Sequence, residues 1–316
     1  MKSLPGWVAC AVGAGWIGMA AAQAALPEIF APGVVSGPSN DADAALTPDG
    51  ATVVFSRDGS ILVSTKSPAG WSTPRLAPFS GRWMDAQPTL APDGATLVFV
   101  SNRPLADGDA KHPGGNLWRV ERHGGDWGEP VHLPAVVNRG ASIWGPSLAA
   151  DGSLYFMDRV DAKGPFKLWR AQSRDGGWLE PVQQVLGEDV DGFAAMQQVD
   201  PAVAPDESFI VFSAKHPGTD EHERLYIAFR EAAGWGRPAD LGAPVNAAGS
   251  DSNEARLAPD GRTLYFTSDR QQPLSYPRTR AQAEADLARI AAWDNGNQNV
   301  WRVSLAPWLE ARKKPG

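Results

Sequence analysis

One short phrase recurs five times along this chain of 316 residues and constrains its fold more than any other feature. Each copy joins a turn around an aspartate to an alternating apolar run, which is typical of a half-buried β-strand. The copies are LTPDGATVVFS from Leu46, LAPDGATLVFVS from Leu90, LAADGSLYF from Leu148, VAPDESFIVFS from Val203 and LAPDGRTLYFTS from Leu257. Their starts lie 44 to 58 residues apart, the length of one four-stranded propeller blade. We therefore predict an all-β fold, a single β-propeller of five four-stranded blades.

Two further patterns follow most copies of the phrase. The first is an apolar run such as Leu117-Trp118 or Val300-Trp301, which predicts the third strand of a blade. The second is a tryptophan with a proline three residues later, and its copies are Trp71 with Pro74, Trp127 with Pro130, Trp178 with Pro181 and Trp235 with Pro238. Because proline has no N–H to donate, it suits an edge strand, and this pattern indicates the outermost strand of a blade.

The last copy lacks an outer strand, and the N-terminal segment is predicted to supply it. The sequence PEIFAPGVVSGPSND over 27–41 resembles PVHLPAVVNRGAS over 130–142, which precedes the start of a blade. Pairing of this segment with the last blade would close the ring and leave no long free sheet edge. We predict one propeller domain over residues 25–310, with an inserted helical segment at about 271–298 and a basic tail over 311–316.

The first 24 residues have the pattern of a secretory signal peptide. Lys2 precedes an apolar stretch from Trp7 to Ala22, and Ala-Gln-Ala at 22–24 fits a cleavage site. A membrane anchor is the alternative, but the stretch falls short of the roughly 20 residues that span a bilayer. We expect a periplasmic or secreted protein with no transmembrane segment after cleavage. The single cysteine, Cys10, lies in the removed segment, so no disulfide is expected.

Several functional classes lack their usual signatures. The net charge is −7 and the basic residues are scattered, so nucleic acid is not an expected partner. There is no GxSxG, no glycine-rich phosphate loop and no HExxH motif. We predict no cofactor and no established metal site, although a Ca²⁺ site built from clustered carboxylates stays open.

The repeats resemble those of a known family. The pattern PxLAPDGxTLxFxSxR, followed by LW and GGWxxP, is similar to the TolB-like repeat of periplasmic β-propellers, also described as a WD40-like repeat. The resemblance covers about residues 26–308 and implies the propeller fold. It leaves function open, because the family includes scaffolds, peptide and glycan binders and a minority of enzymes.

The candidate site lies where the inner strands enter the channel. The repeat places Asp43, Gln87, Gly145, Asp200 and Glu254 at equivalent positions near one mouth, with more acids just upstream. We predict a ligand site formed by Asp43, Trp83, Asp85, Trp144, Asp200, Asp251 and Glu254. Trp83 and Trp144 are included because they fall outside the repeated tryptophan positions. The alternative is that the acids cap the inner strands by accepting hydrogen bonds from loop N–H groups.

Features that differ between blades are further candidates. The segment over 271–298 contains Leu287, Ile290 and Trp293 at helical spacing and is predicted to form an amphipathic helix that covers the channel or docks a partner. Smaller excursions are 105–115, with Asp107, Asp109 and His112, 216–223, with His216 and His222, and 187–199, with Glu188, Asp189, Asp191 and Phe193. A repeated cation also follows the second strand, at Arg57, Arg103, Arg159, Lys215 and Arg270. Each is predicted to reach an aspartate of a neighbouring blade or a carbonyl, or else to join a ring that binds anions.

The leading functional hypothesis is a binding or scaffolding propeller that recognises a protein, a peptide or a glycan at the channel mouth. The alternative is a carbohydrate-active hydrolase or lyase that uses the mouth carboxylates. Two carboxyls about 5 to 9.5 Å apart suffice for glycoside hydrolysis. Convergence of Asp43, Asp200 and Glu254 on one pocket without arginine partners, with a raised pKa, would favour catalysis.

Overall fold

The chain forms five small antiparallel sheets arranged in a ring, so the predicted five-bladed propeller is confirmed. The computed structural model describes residues 26–105, 110, 112, 114–159, 161, 163–187, 196–215 and 221–312. The described residues do not include the predicted signal peptide over 1–24, nor Asp107, Asp109, Glu188, Asp189, Asp191, Phe193, His216, Lys313 or Lys314.

Each blade is built from consecutive strands that run outward from the channel. Blade 1 contains β2 (Asp41–Leu46), β3 (Thr52–Arg57), β4 (Ser60–Ser67), β5 (Gly70–Trp71) and β6 (Arg75–Leu76). Blade 2 contains β7 (Asp85–Leu90), β8 (Thr96–Ser101), β9 (Asn116–His123), β10 (Asp126–Trp127) and β11 (Val131–His132). Blade 3 contains β12 (Ser142–Leu148), β13 (Leu154–Arg159), β14 (Lys167–Ala171) and β17 (Val182–Gln184), with the hairpin β15 (Ser173–Arg174) and β16 (Gly177–Trp178).

The last two blades follow the same plan. Blade 4 contains β18 (Gln198–Val203), β19 (Phe209–Ala214), β20 (Arg224–Glu231), β21 (Gly234–Trp235) and β22 (Ala239–Asp240). Blade 5 contains β23 (Ser252–Leu257), β24 (Thr263–Ser268) and β25 (Asn299–Ser304), and its outermost strand is β1 (Glu28–Ile29). The Trp-x-x-Pro pattern divides each outer region in two. Trp71, for example, pairs with β4, and Pro74 then separates β5 from β6.

The N-terminal strand closes the ring, as the sequence predicts. Strand β1 pairs antiparallel with β25, with Glu28 opposite Arg302 and Ile29 opposite Trp301. Phe30 follows directly and is 4% exposed. Its ring makes edge contacts with Trp71 of blade 1 and Tyr265 of blade 5. The closing segment therefore belongs to the packed core between the first and last blades.

The core lies between neighbouring sheets, and the channel is left to polar side chains. Each second strand contributes one phenylalanine that is almost fully buried, at Phe55, Phe99, Phe156, Phe212 and Phe266. Burial of such a side chain contributes roughly 1.5–3 kcal/mol. The repeated apolar run therefore serves packing between blades.

Three of the five repeated cations hold the segment that leads into their own blade. Arg57 pairs with Asp41 at 2.5 Å and donates to the Val34 carbonyl at 2.9 Å. Arg103 pairs with Asp85 at 2.7 Å and donates to a preceding carbonyl. Arg270 likewise donates to the Pro244 carbonyl at 2.8 Å. The predicted contacts with carbonyls are therefore observed for these three arginines, whereas the aspartates that Arg57 and Arg103 reach belong to their own blade and not to a neighbouring one.

The inserted segment contains helix α1 (Arg280–Ala292), and α2 (Ala306–Ala311) follows the last strand. Helix α1 begins with a capping box formed by Thr279 and Gln282. Leu287 is 62% exposed and the helix has no buried residue. Trp293, directly after the helix, is buried, and its ring lies 5.9 Å from that of Trp301. The helix therefore exposes Leu287, while Ala292 at its C-terminal end packs against the core. None of the helices in the described part of the chain is long and apolar enough to cross a membrane.

Candidate functional site

Every inner strand is interrupted at the same place by a register break. The breaks lie between Ala42 and Ala45, Ala86 and Thr89, Trp144 and Ser147, Val199 and Ala202, and Asn253 and Arg256. At each break one residue has a positive φ between 49° and 61°, and these residues are Asp43, Gln87, Gly145, Asp200 and Glu254. They are the five positions that the repeat makes equivalent. Such bulges re-aim a side chain relative to the sheet.

The four side chains at these breaks meet in the channel. Gln87 Nε2 donates to Asp200 Oδ1 at 3.1 Å, and Gln87 Oε1 accepts a hydrogen bond from the Gly145 amide at 2.7 Å. Asp200 also accepts a hydrogen bond from Ser213 at 3.1 Å. One side chain of blade 2 thus joins blades 3 and 4 across the channel.

A buried arginine completes this cluster. Arg256 Nη2 lies 2.9 Å from Asp43 Oδ1, and the two side chains are 4% and 1% exposed. Arg256 Nε also donates to the Pro88 carbonyl of blade 2 at 3.2 Å. The guanidinium therefore spans from blade 5 to blades 1 and 2. It supplies one positive charge to a group of three carboxyls.

Burial raises the pKa of all three carboxyls, and repulsion from neighbouring carboxyls raises the pKa of two of them further. The pKa of Glu254 lies well above 4.5, first because of burial and then because of the charges of Asp43 and Asp200. Burial also raises the pKa of Asp200, with a further rise caused by Asp43. Burial raises the pKa of Asp43, although Arg256 opposes the rise. Glu254 Oε2 is buried and has no hydrogen-bond partner among the described residues.

A cavity of about 690 Å³ opens at the mouth beside this cluster. Asp200, Glu254 and Gln87 line it from the channel. Its remaining charged lining comes from Arg159, Lys215 and Glu223 of blades 3 and 4. The cavity thus carries charges of both signs.

Apolar and amide groups complete the cavity wall. The ring of Phe166 contributes an apolar surface and lies 3.9 Å from the Arg159 guanidinium. Asn253 donates to the Glu223 carboxylate at 2.8 Å, and burial raises the pKa of Glu223. The cavity can therefore bind a ligand that has hydrogen-bond donors, hydrogen-bond acceptors and an apolar face.

Five of the seven predicted site residues lie outside the cavity lining: Asp43, which belongs to the channel cluster, and Trp83, Asp85, Trp144 and Asp251. Asp85 is fully buried in its pair with Arg103 and accepts a hydrogen bond from Ser80 at 2.8 Å. Asp251 accepts a hydrogen bond from the Glu223 amide at 2.6 Å. Trp83 lies under the Arg82 guanidinium, and the Trp144 indole donates to Ser142 at 2.8 Å. These contacts serve the loops and the core.

The structure adds residues that the sequence pattern did not assign to the site. Arg159 and Lys215 belong to the repeated cation position, but they line the cavity. Sequence reasoning also missed Arg256. A signal was present in the repeat, since the four equivalent positions carry smaller side chains, at Ala45, Thr89, Ser147 and Ala202. Phe166 and Glu223 lie in segments that do not repeat, so no internal comparison could identify them.

No group of three or more His, Cys, Asp or Glu residues in the described part of the chain has a geometry that could hold a metal ion. Asp43 is paired with Arg256 and accepts a hydrogen bond from Ser56, and Asp200 accepts hydrogen bonds from Gln87 and Ser213.

Comparison with known proteins supports the fold alone. No family model matches the sequence, and no curated protein matches it. Among solved structures, the protein is similar to a putative TolB from Agrobacterium tumefaciens, with 13% identity over 84% of this chain and 91% of that chain and a TM-score of 0.50. It is equally similar to an α-L-arabinofuranosidase from Lactobacillus brevis, with 14% identity, 87% and 92% coverage and a TM-score of 0.50. The chain is thus a five-bladed β-propeller with a TolB-like fold.

Proposed function

We propose that this chain is an exported β-propeller that binds a peptide or a glycan, free or as part of a partner protein, in the cavity at the channel mouth. The observation that carries the proposal is the meeting of Asp43, Asp200 and Glu254, from three different blades, in one buried cluster. Residues that merely cap strands would bond to the backbone of their own blade. Gln87 instead links Asp200 to the Gly145 amide of another blade, and Arg256 pairs with Asp43 across a blade boundary.

The unpaired oxygen of Glu254 supports a ligand with hydrogen-bond donors. A buried acceptor without a partner costs about 1–3 kcal/mol, and a donor on a bound ligand would recover part of this cost. Peptide amino groups and sugar hydroxyls are both suitable donors. Arg159 and Lys215 could receive carbonyl or carboxylate oxygens of the same ligand, and Phe166 could pack against its apolar face.

Export is the second part of this proposal and is supported by the signal-peptide pattern over residues 1–24. N-terminal sequencing of the protein recovered from the periplasm or the medium tests it. We expect the mature chain to begin at Ala25. Recovery of the protein only in the cytoplasm with residues 1–24 intact would contradict export.

A thermal-shift screen of the protein from Ala25 onward tests the binding site, with peptides, oligosaccharides and divalent cations as ligands. A ligand at 100 times its Kd stabilises the folded state by about 2.7 kcal/mol. We expect Asp200→Asn and Glu254→Gln to abolish the shift. Glu284→Gln, on the exposed face of α1, is the matched control and should keep it. A shift that survives in both channel variants would place the site elsewhere.

One specific observation favours the hydrolase or lyase as a second candidate. Burial and the charges of Asp43 and Asp200 raise the pKa of Glu254, and a carboxyl with a raised pKa can serve as a general acid. The pairing of Asp43 with Arg256, by contrast, does not meet the expectation of carboxyls without arginine partners. Any oligosaccharide that binds should be incubated at high enzyme concentration and analysed for cleavage. Products lost in Glu254→Gln would establish catalysis, and an intact oligosaccharide would favour binding alone.

A further inference from the structure

A second groove lies between blades 2 and 3, outside the channel. It encloses about 230 Å³, and its lining includes Val98 and Arg119 of blade 2 together with Gly152, Ser173 and Trp178 of blade 3. The groove is lined by polar and apolar groups in similar measure, and its charged side chains are Arg119 and Asp93. Arg119 Nε is buried and has no hydrogen-bond partner among the described residues.

The next blade interface shows what this groove lacks. Arg170 occupies in blade 3 the place that Arg119 occupies in blade 2, because each is paired with the same position of the second strand, Tyr155 and Val98 respectively. Glu207 of blade 4 reaches across and bonds Arg170 at 2.6 and 3.0 Å. The same carboxylate accepts a hydrogen bond from the Tyr155 hydroxyl at 2.7 Å. The interface between blades 3 and 4 is thus joined by an internal carboxylate.

Blade 3 has a glycine at the position that corresponds to Glu207. Both residues follow the turn aspartate, at Asp151-Gly152 and Asp206-Glu207, and both have a positive φ, 83° and 56°. Gly152 has no side chain, so no carboxylate reaches Arg119 from blade 3. The third arginine at this position, Arg302 of blade 5, again has a carboxylate from another segment, at 2.9 Å in Glu28.

The carboxylate of Glu121 lies near Arg119 but does not replace the contact that Glu207 makes with Arg170. Glu121 lies two residues further on the same strand, and its Oε1 is 3.5 Å from Arg119 Nε, beyond an ordinary charge-assisted hydrogen bond. Its other oxygen accepts a hydrogen bond from Thr96 at 2.8 Å. Glu121 therefore offsets the charge of Arg119 without filling the groove.

We propose that this groove binds a carboxylate of a polypeptide ligand, which takes the place that Glu207 occupies at the next interface. The carboxylate would pair with Arg119, and the carbon atoms that bear it would pack against Val98 and Trp178. An acidic side chain and the C-terminal carboxylate of a polypeptide share this chemistry, and the probes below separate them. The groove is independent of the channel cavity, because the two have no lining residue in common.

The test uses three small probes and the indole N–H resonance of Trp178, assigned from Trp178→Phe. The probes are N-acetyl-glutamate α-amide, N-acetyl-leucine and the uncharged N-acetyl-glutamine α-amide. We expect one or both acids to shift the resonance in a saturable way, and the uncharged amide to bind at least ten-fold more weakly, because a charge-assisted bond is lost. The glutamate probe reports an acidic side chain and N-acetyl-leucine a C-terminus. Equal responses to all three probes, or none, would overturn the proposal.

Two variants decide whether the response comes from this groove. Arg119→Gln should weaken binding of the acids about ten-fold or more, whereas Arg302→Gln, which removes the equivalent charge beside Glu28, should leave it unchanged. Equal losses in both variants would indicate a general charge effect and overturn the assignment. Gly152→Glu should also abolish binding by closing the groove from within. Its new Cβ would lie 3.1 Å from Ser173 Oγ, so Arg119→Gln, which leaves the backbone unchanged, is the deciding variant.

Discussion

At the scale of single residues, the channel concentrates groups that folding alone does not favour. Asp43, Asp200 and Glu254 each combine a positive φ with a buried carboxyl. Sparsely populated backbone conformations cost on the order of 1–3 kcal/mol each and tend to cluster at functional sites. The same residues therefore lower stability while they create a polar site.

The first prediction concerns Glu254. Its pKa is raised in the folded state, so the folded protein holds this proton over a range in which the unfolded chain has released it. The contribution to stability is fully present below the ordinary pKa of 4.5 and is lost as the pH rises through the folded value. Glu254→Gln should therefore stabilise the protein at neutral pH by about 1.4 kcal/mol for each pH unit that separates the two pKa values.

Thermal unfolding between pH 4 and pH 8 measures this effect. The gain in Tm should be largest at neutral pH and should vanish near pH 4. Glu284→Gln, at an exposed site, should show little change at any pH. A Tm gain that is independent of pH would contradict the explanation from burial.

The second prediction concerns the pair of Asp43 and Arg256. Removal of one partner of a buried ion pair leaves an uncompensated charge and costs about 3–5 kcal/mol. Arg256→Met should show this loss in urea unfolding at neutral pH. The double variant Asp43→Asn/Arg256→Met should be more stable than Arg256→Met alone. Strictly additive losses would show that the two side chains do not interact.

At the scale of elements, the repeats made most strands predictable from the sequence. The repeated phrase around the turn aspartate predicts the second strand of each blade, including its buried phenylalanine. The closing strand was predictable because a blade without an outer strand leaves a free edge. The exposure of Leu287 in α1 could not be predicted, because its helical spacing with Ile290 and Trp293 indicates an apolar face without showing what that face contacts.

The third prediction concerns the closing segment. Phe30→Ala should destabilise the protein by about 3–5 kcal/mol, because it removes a buried aromatic ring from the core between blades 1 and 5. Urea unfolding measures the loss. Val182→Ala, in the outer strand of blade 3 with 65% of the valine exposed, is the control and should change stability little. Similar losses in both variants would argue against closure by this segment.

The fourth prediction separates the inserted helix from the residue that follows it. Trp293→Ala should cost about 3–5 kcal/mol because the buried indole packs against Trp301. Leu287→Ala should change the free energy of unfolding by less than about 0.5 kcal/mol, since that side chain is exposed. Urea unfolding of the two variants measures both values. A large loss in Leu287→Ala would indicate that this face of the helix is packed.

At the scale of the whole molecule, five similar blades surround a channel whose side chains differ from blade to blade. The equivalence of Asp43, Gln87, Gly145, Asp200 and Glu254 could be read from the repeat. The repeat could not show which of the acids converge, because their convergence depends on partner residues that do not repeat. The pair of Asp85 and Arg103 repeats that of Asp41 and Arg57, whereas Asp43 pairs with Arg256, a bulky residue at a position that is small elsewhere.

Both binding and hydrolysis would depend on the convergence of carboxyls from three blades in one buried cluster. Titration of the Glu254 carboxyl by ¹³C NMR, with the resonance assigned from Glu254→Gln, is a direct test of this convergence. We expect a pKa well above 4.5 that falls towards the ordinary value in Asp200→Asn. A Glu254 pKa near 4.5 that does not respond to Asp200→Asn would show that the three carboxyls do not form one cluster.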